Sequence, residues 1–282
     1  MEKLLLTDTK ENIAILTLND PKKLNALSEE MLLSLEIAFE KISNNNDIKA
    51  VILRASGKAF CAGHDLKQMQ LARQTKDKGK KYFNELFKRC GKMMVSIKKM
   101  PQPVIASVNG IATAAGCQLV ASCDLAIASD EASFGVNGVN IGLFCSTPMV
   151  ALSRNISRKK TFEMLVTGDF LDAKTAVSEG LINKVVSPED LDLESFILAR
   201  KIQSKLSSAV KIGKEAFYNQ SEMIERDAYE YTAKVMAENM LYAETKEGIS
   251  AFLDKRPAKW KDRETPIREF VAEDKLSQNS SK

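Results

Sequence analysis

The residues with the clearest chemical potential lie in one stretch, PQPVIASVNGIATAAGCQLVASCDL, from Pro101 to Leu125. An apolar strand, Val104 to Val108, is broken by Asn109-Gly110, and very small residues from Ala112 to Gly116 lead into a short helical pattern. Small side chains let another molecule come close to the backbone. The first turn of a helix has N–H groups with no intrahelical partner and carries the positive end of the helix dipole. Together these suit a carbonyl oxygen that becomes negative during a reaction. A second loop, GKAFCAGHD at 57–65, carries the only histidine of the chain, His64. Its imidazole is a candidate for catalysis near neutral pH.

Other chemistries find less support. Cys61, Cys90, Cys117, Cys123 and Cys145 are odd in number, sit mostly among apolar residues and form no CxxC pair. With a single histidine, a His/Cys metal site is not expected, and the simple reading is free thiols in a reducing cytoplasm. A Cys145–His64 pair would imply acyl transfer or thioester hydrolysis. No third residue orients the base, however, and a buried cysteine also serves as a small apolar filler. Asn137, Asn140 and Gln118 are suited either to orienting a carboxylate or water or to structural hydrogen bonding. A net charge of +4 makes no electrostatic case for nucleic acid. No apolar run approaches a membrane span, and the first residues enter a strand pattern without the marks of a signal or transit peptide.

These candidates need elements to position them. Ile13 to Leu18 and Ala50 to Ala55 read as strands, and Ser28 with Glu29 and Glu30 starts a helix whose Leu32, Leu35, Phe39 and Ile42 recur at helical spacing. Gly57 to Asp65 reads as a loop and Asp77 to Lys98 as a helix. The basic run KDKGKK at 76–81 is either a solvated helix start or an attractor for phosphate. Asp124 to Ser129 is a further strand, with Asp124 fixing its junction to the preceding helix; 133–135 is a short extended piece and 136–148 a loop. Helical patterns cover 149–156, 159–167 and 173–179, and a strand returns at 182–186. After Pro188 everything reads as helix. The organisation expected is an α/β core over 1–188, a helical region over 189–262 and a polar tail over 263–282. The pattern at 224–240 is amphipathic, with the aromatic and methionine content of a packed subunit interface.

Two segments, GKAFCAGHDL at 57–66 and PVIASVNGIATAAGCQLVASCDLAIAS at 103–129, resemble the enoyl-CoA hydratase/isomerase (crotonase) family. So do Phe134-Gly135, Ile141-Gly142, TGDFLDAKTAVSEGLINKVV at 167–186 and KEGISAFLDKR at 246–256. The likeness runs over about 3–262 in the family's order, and several motifs at the right separations are far more specific than one. It implies an α/β fold, a spiral of ββα units, with a helical C-terminal region that forms trimers, often paired as hexamers. It also implies an acyl-CoA substrate and no separate cofactor, the CoA thioester being the substrate itself. The backbone N–H groups of His64 and Ala115 would hold the thioester oxygen. Ala62, Asp65 and Leu66 would wrap the CoA adenine, with Asn25-Ala26-Leu27 matching the early CoA-contacting segment and Lys23 and Leu24 beside it. Phe252 and Lys255 match positions that reach the CoA of a neighbouring subunit.

The departures bear on the reaction. Hydratases of the family activate and deliver water with two glutamates. Here the first position is Gln118 and the second is Gly138. Neither has a titratable group, so neither acts as a general base or acid. The expectation is an acyl-CoA-binding enzyme that stabilises a thioester enolate without the standard hydration. The alternatives are decarboxylation of a malonyl-type CoA, which makes the enolate without a base, and a non-catalytic acyl-CoA-binding or regulatory protein.

Overall fold

The computed structural model describes residues 3–259. The described residues fall into two compact units, one running to Lys205 and the other starting at Leu206.

The first unit is built from strand–strand–helix repeats. An antiparallel hairpin, β1 (Leu5–Lys10) and β2 (Ile13–Leu18), leads to α1 (Glu29–Ser43). Ser28 Oγ accepts from the Met31 N–H at 3.2 Å and caps α1, whose stripe Met31, Leu32, Leu35, Phe39 and Ile42 is buried. Three further repeats follow. β3 (Ala50–Ala55) and β4 (Ala59–Cys61) precede α2 (Leu66–Ala72) and α3 (Lys80–Lys99). β5 (Val104–Val108) and β6 (Ile111–Thr113) precede α4 (Ala115–Ser122). β7 (Leu125–Ser129) and β8 (Ser133–Gly135) precede a 3₁₀ turn at Asn137–Ile141 and α5 (Pro148–Leu152). The unit closes with α6 (Arg158–Thr167), β9 (Phe170–Asp172), α7 (Ala173–Ser178), β10 (Lys184–Val186) and α8 (Leu191–Gln203).

In each of these three repeats the first strand joins a large sheet and the second a small one. The large sheet has the order β1-β2-β3-β5-β7-β10, parallel from β2 onward. Its strands β2, β3, β5 and β7 are covered on both faces, and alternation assigns the faces. Val51, Leu53, Val104 and Ala106 point into the main core with α1 and α3, while Ile13, Ala50, Ile52 and Ile105 meet Ala199 of α8. The small sheet has the order β4-β6-β8-β9, with β4, β6 and β8 parallel and β9 antiparallel.

Several sequence expectations change here. The loop at 57–65 contains β4, the small-residue run begins within β6, and the loop at 136–148 contains a 3₁₀ turn. The helix α2 was not expected. The compact division falls at 205, whereas the composition change lies near Pro188, because α8 packs on β3, β5 and β7 and completes the core. Asp124 does fix its junction: its Oδ2 accepts from the Val104 N–H at 2.7 Å. The lysines of the basic run at 76–81 are exposed, and the Asp77 carboxylate accepts from the Gly79 and Lys81 amides at the start of α3.

The second unit comprises α9 (Ser207–Gln220), α10 (Glu225–Met240) and α11 (Ala243–Leu253). α10 buries none of its residues, and Tyr229, Met236 and Met240 are exposed. The polar tail expected at 263–282 lies outside the described residues, as does the end of the region expected to run to 262.

Candidate active site

The candidate residues gather at the carboxyl ends of the small sheet's parallel strands, where loops leave a sheet and backbone groups stay open to a ligand. β4 ends at Cys61 and is followed by Ala62-Gly63-His64-Asp65. β6 ends at Thr113 and is followed by Ala114 and Ala115, and β8 ends at Gly135, three residues before Gly138. An earlier segment lines up beside the first of these turns. Ala62 N–H donates to Leu24 O at 3.0 Å, and Leu27 N–H donates to Gly63 O at 2.7 Å. Leu27 and His64 form a parallel bridge.

The two turns carrying His64 and Ala115 pack backbone against backbone. A β-carbon on Gly63 (φ +88°) would stand 3.2 Å from the Ala115 nitrogen and 2.9 Å from the Ala114 β-carbon. One on Gly116 would stand 2.1 Å from the Cys61 carbonyl oxygen. This contact is the physical reason for the run of small residues. Ala115 is buried and is the first residue of α4. Among the described residues no hydrogen bond uses the N–H of His64 or of Ala115.

The His64 ring is tied elsewhere. Its Nδ1 lies 3.4 Å from Leu27 O, its edge contacts Phe87 with ring centroids 5.6 Å apart, and its Nε2 is buried without a partner. Burial pushes its pKa below the usual 6.5, only partly offset by the Leu27 carbonyl, so the imidazole is neutral at pH 7. Asp65 is buried and caps α2, accepting from Lys67 N–H at 2.9 Å and Gln68 N–H at 3.3 Å. Lys23 Nζ lies 3.5 Å from its other oxygen and links the two segments. Ala26 is buried, Ala62 half-buried, and Leu24 and Leu66 are exposed. Phe252 and Lys255 are exposed residues of the second unit.

Gln118 sits one turn after Ala115. Helical side chains lean toward the N-terminus, so its carboxamide leans over the turn that Ala115 opens. It is 4% exposed, and its Oε1 has no partner. Gly138 has no room for a side chain: a β-carbon there would meet the Leu143 carbonyl oxygen at 2.2 Å and Cys145 Sγ at 2.8 Å. Burial pushes the Cys145 thiol up, and it pushes the neighbouring Cys117 thiol up to about 12. Among the described residues no hydrogen bond joins Cys145 to His64, so the acyl-transfer pair is not assembled. Asn137 accepts from Thr113 Oγ1 at 2.7 Å, and the Asn140 carboxamide packs where a Gly168 β-carbon would be, which are structural uses.

Sequence reasoning placed Asn25 only in a CoA-contacting segment and missed its structural part. Its buried carboxamide accepts from Asp20 N–H and donates to Ser56 O and Ala59 O, each at 2.8 Å. It thereby ties the early segment to the start of β4. The one available signal was residue type, because asparagine tolerates the left-handed backbone found there (φ +53°). Among the described residues no cluster of His, Cys, Asp or Glu is placed to hold a metal, and no helix is long and apolar enough to cross a membrane.

Parallel ββα repeats with small-residue turns at the carboxyl ends of the small sheet define the crotonase class of fold. The family model for enoyl-CoA hydratase/isomerase matches residues 8–263, and the chain belongs to that family. It is 46% identical to human enoyl-CoA hydratase domain-containing protein 3, mitochondrial, over 250 residues, which is 89% of this chain and 81% of that protein. The crystal structure of the human protein covers 91% of this chain and 100% of its own at 45% identity, with a TM-score of 0.86. An enoyl-CoA hydratase from Mycobacterium smegmatis superposes with a TM-score of 0.88 at 51% identity, covering 92% of this chain and 99% of its own.

Proposed function

We propose that this protein binds an acyl-CoA thioester and stabilises its enolate between the N–H groups of His64 and Ala115, without two-carboxylate hydration. The observation that carries the reading is the packing of the Gly63 turn against the Ala115 nitrogen. Two backbone donors with no protein acceptor, one at the start of α4, favour negative charge on a thioester oxygen. A donor of this kind contributes roughly 3 kcal/mol in a transition state. Lys23, Leu24, Ala26, Ala62, Asp65 and Leu66 would form the CoA-binding rim, with Phe252 and Lys255 reaching CoA across a subunit boundary.

The same residues argue against hydration. Gln118 offers no proton, and position 138 is closed by the Leu143 carbonyl and Cys145, so no side chain replaces the second glutamate. Decarboxylation of a malonyl-type acyl-CoA remains compatible. The bond from Cα to the carboxylate breaks, and its electron pair moves into the thioester to give the enolate. Carbon dioxide leaves, and solvent then protonates Cα. The Gln118 carboxamide, donating through its Nε2–H, is suited to orient that carboxylate. A non-catalytic acyl-CoA-binding or regulatory role uses the same two amides without turnover. The exposed apolar residues Met236, Met240, Leu241 and Leu253 of the second unit support assembly as a homotrimer or hexamer. Five free buried thiols support a reducing compartment, for which the cytoplasm is our reading, although the human and mouse relatives are named mitochondrial.

The test is calorimetric binding of butyryl-CoA together with turnover assays on crotonyl-CoA, a 3-enoyl-CoA and methylmalonyl-CoA. Tighter binding of butyryl-CoA than of free CoA, without hydration of crotonyl-CoA, is expected. Turnover of methylmalonyl-CoA selects the decarboxylase, and no turnover at all selects the binding protein. Hydration of crotonyl-CoA at rates usual for the family would overturn the role given to Gln118 and Gly138.

A further inference from the structure

Ala114, the residue before the Ala115 amide, has φ +50° and ψ −120°. This is a region that a side chain makes costly and that glycine enters freely. Leu24, by contrast, has φ +54° and ψ +37°, the ordinary left-handed well. Ala114 is held in place from both sides: its N–H donates to Gly135 O at 2.9 Å, and its carbonyl accepts from Gln118 N–H at 3.0 Å. Its methyl group faces the other turn, close enough that a β-carbon on Gly63 would stand 2.9 Å from it. A strained backbone that persists beside a functional group invites a functional explanation.

We propose that Ala114 is a positioning residue whose methyl group, wedged against Gly63, sets the spacing between the His64 and Ala115 amides. Glycine at 114 would relax the turn but lose the wedge. The inference rests on the reading of those amides as thioester donors. It goes beyond that reading by assigning their alignment to a residue outside the set read as holding the thioester or the CoA.

The test compares the whole protein with its Ala114→Gly and Ala114→Ser variants. Each is titrated with butyryl-CoA and free CoA, and the carbonyl stretch of bound ¹³C-labelled butyryl-CoA is recorded. Ala114→Gly is expected to raise Tm by about 2–4 °C as strain is released. It is also expected to lower the ratio of butyryl-CoA to CoA affinity about five-fold and to return the carbonyl stretch toward its solution position. Ala114→Ser keeps the β-carbon and keeps the ratio. If wild type prefers butyryl-CoA and Ala114→Gly keeps both the ratio and the stretch, or if its Tm falls, the positioning role is overturned alone. If wild type shows neither preference nor a shifted stretch, the reading of the two amides fails and this inference fails with it.

Discussion

The two sheets of the first unit divide the work of the molecule. Strands β2, β3, β5 and β7 of the large sheet run for five or six residues and are covered on both faces. All four strands of the small sheet are three residues long, and three of them end at the candidate site. Long buried strands supply apolar area and cooperativity. Short ones deliver turns in which backbone amides stay unpaired, a state that a thick core would not tolerate. The comparison teaches that the buried core and the candidate site are separated here by strand length, within a single repeat.

Mutations can break that separation or sharpen it. The largest effect is expected from Leu53→Ala, which deletes a fully buried side chain of β3 and leaves a cavity. It should cost about 2–5 kcal/mol in urea denaturation while the folded fraction keeps its butyryl-CoA affinity. Loss of affinity in that folded fraction would show the sheets to be coupled. Gly116→Ala drives a methyl group into the Cys61 carbonyl and forces α4 away from β4. A cost of about 3 kcal/mol is expected, and butyryl-CoA binding should be lost even in protein that calorimetry finds folded. Asp65→Ala removes the cap of α2 and should cost about 1 kcal/mol in thermal or urea unfolding.

The smallest effect is a pH dependence. Burial holds the His64 pKa below 6.5 in the folded chain, so the unfolded chain takes up a proton that the folded chain refuses. The stability linked to the neutral ring is fully present above pH 6.5 and is lost as pH falls from 6.5 toward the lowered folded value. Denaturation of His64→Gln across that window should show a flatter profile than wild type. Identical slopes would place the His64 ring in solvent.

The large sheet was legible because its strands carry continuous apolar runs, as in AVILRA at 50–55 and VIASV at 104–108. Helix α1 announced itself through Ser28 and its periodic apolar stripe. Of the small sheet only β8 was legible, as the extended piece at 133–135; for β4, β6 and β9 three residues give no periodicity to read, and GKAFCAGHD looked like loop throughout. Asn25 was unreadable for another reason. Its three backbone partners lie at 20, 56 and 59, and nothing local marks a side chain committed so far along the chain.

By itself, the sequence determined that positions 118 and 138 carry no titratable side chain. A glutamine at 118 and a glycine at 138 carry no proton to move, whatever surrounds them. It also fixed the small-residue turns, because only glycine and alanine let two backbones touch. The tertiary structure alone decided that these two turns meet, that Leu143 and Cys145 fill the place beside Gly138, and that Ala114 is held in a strained conformation. The meeting of the turns joins segments far apart in the chain and is set by how the parallel strands stack, while the crowding at Gly138 comes from the loop after it folding back on it; neither can be read from local periodicity.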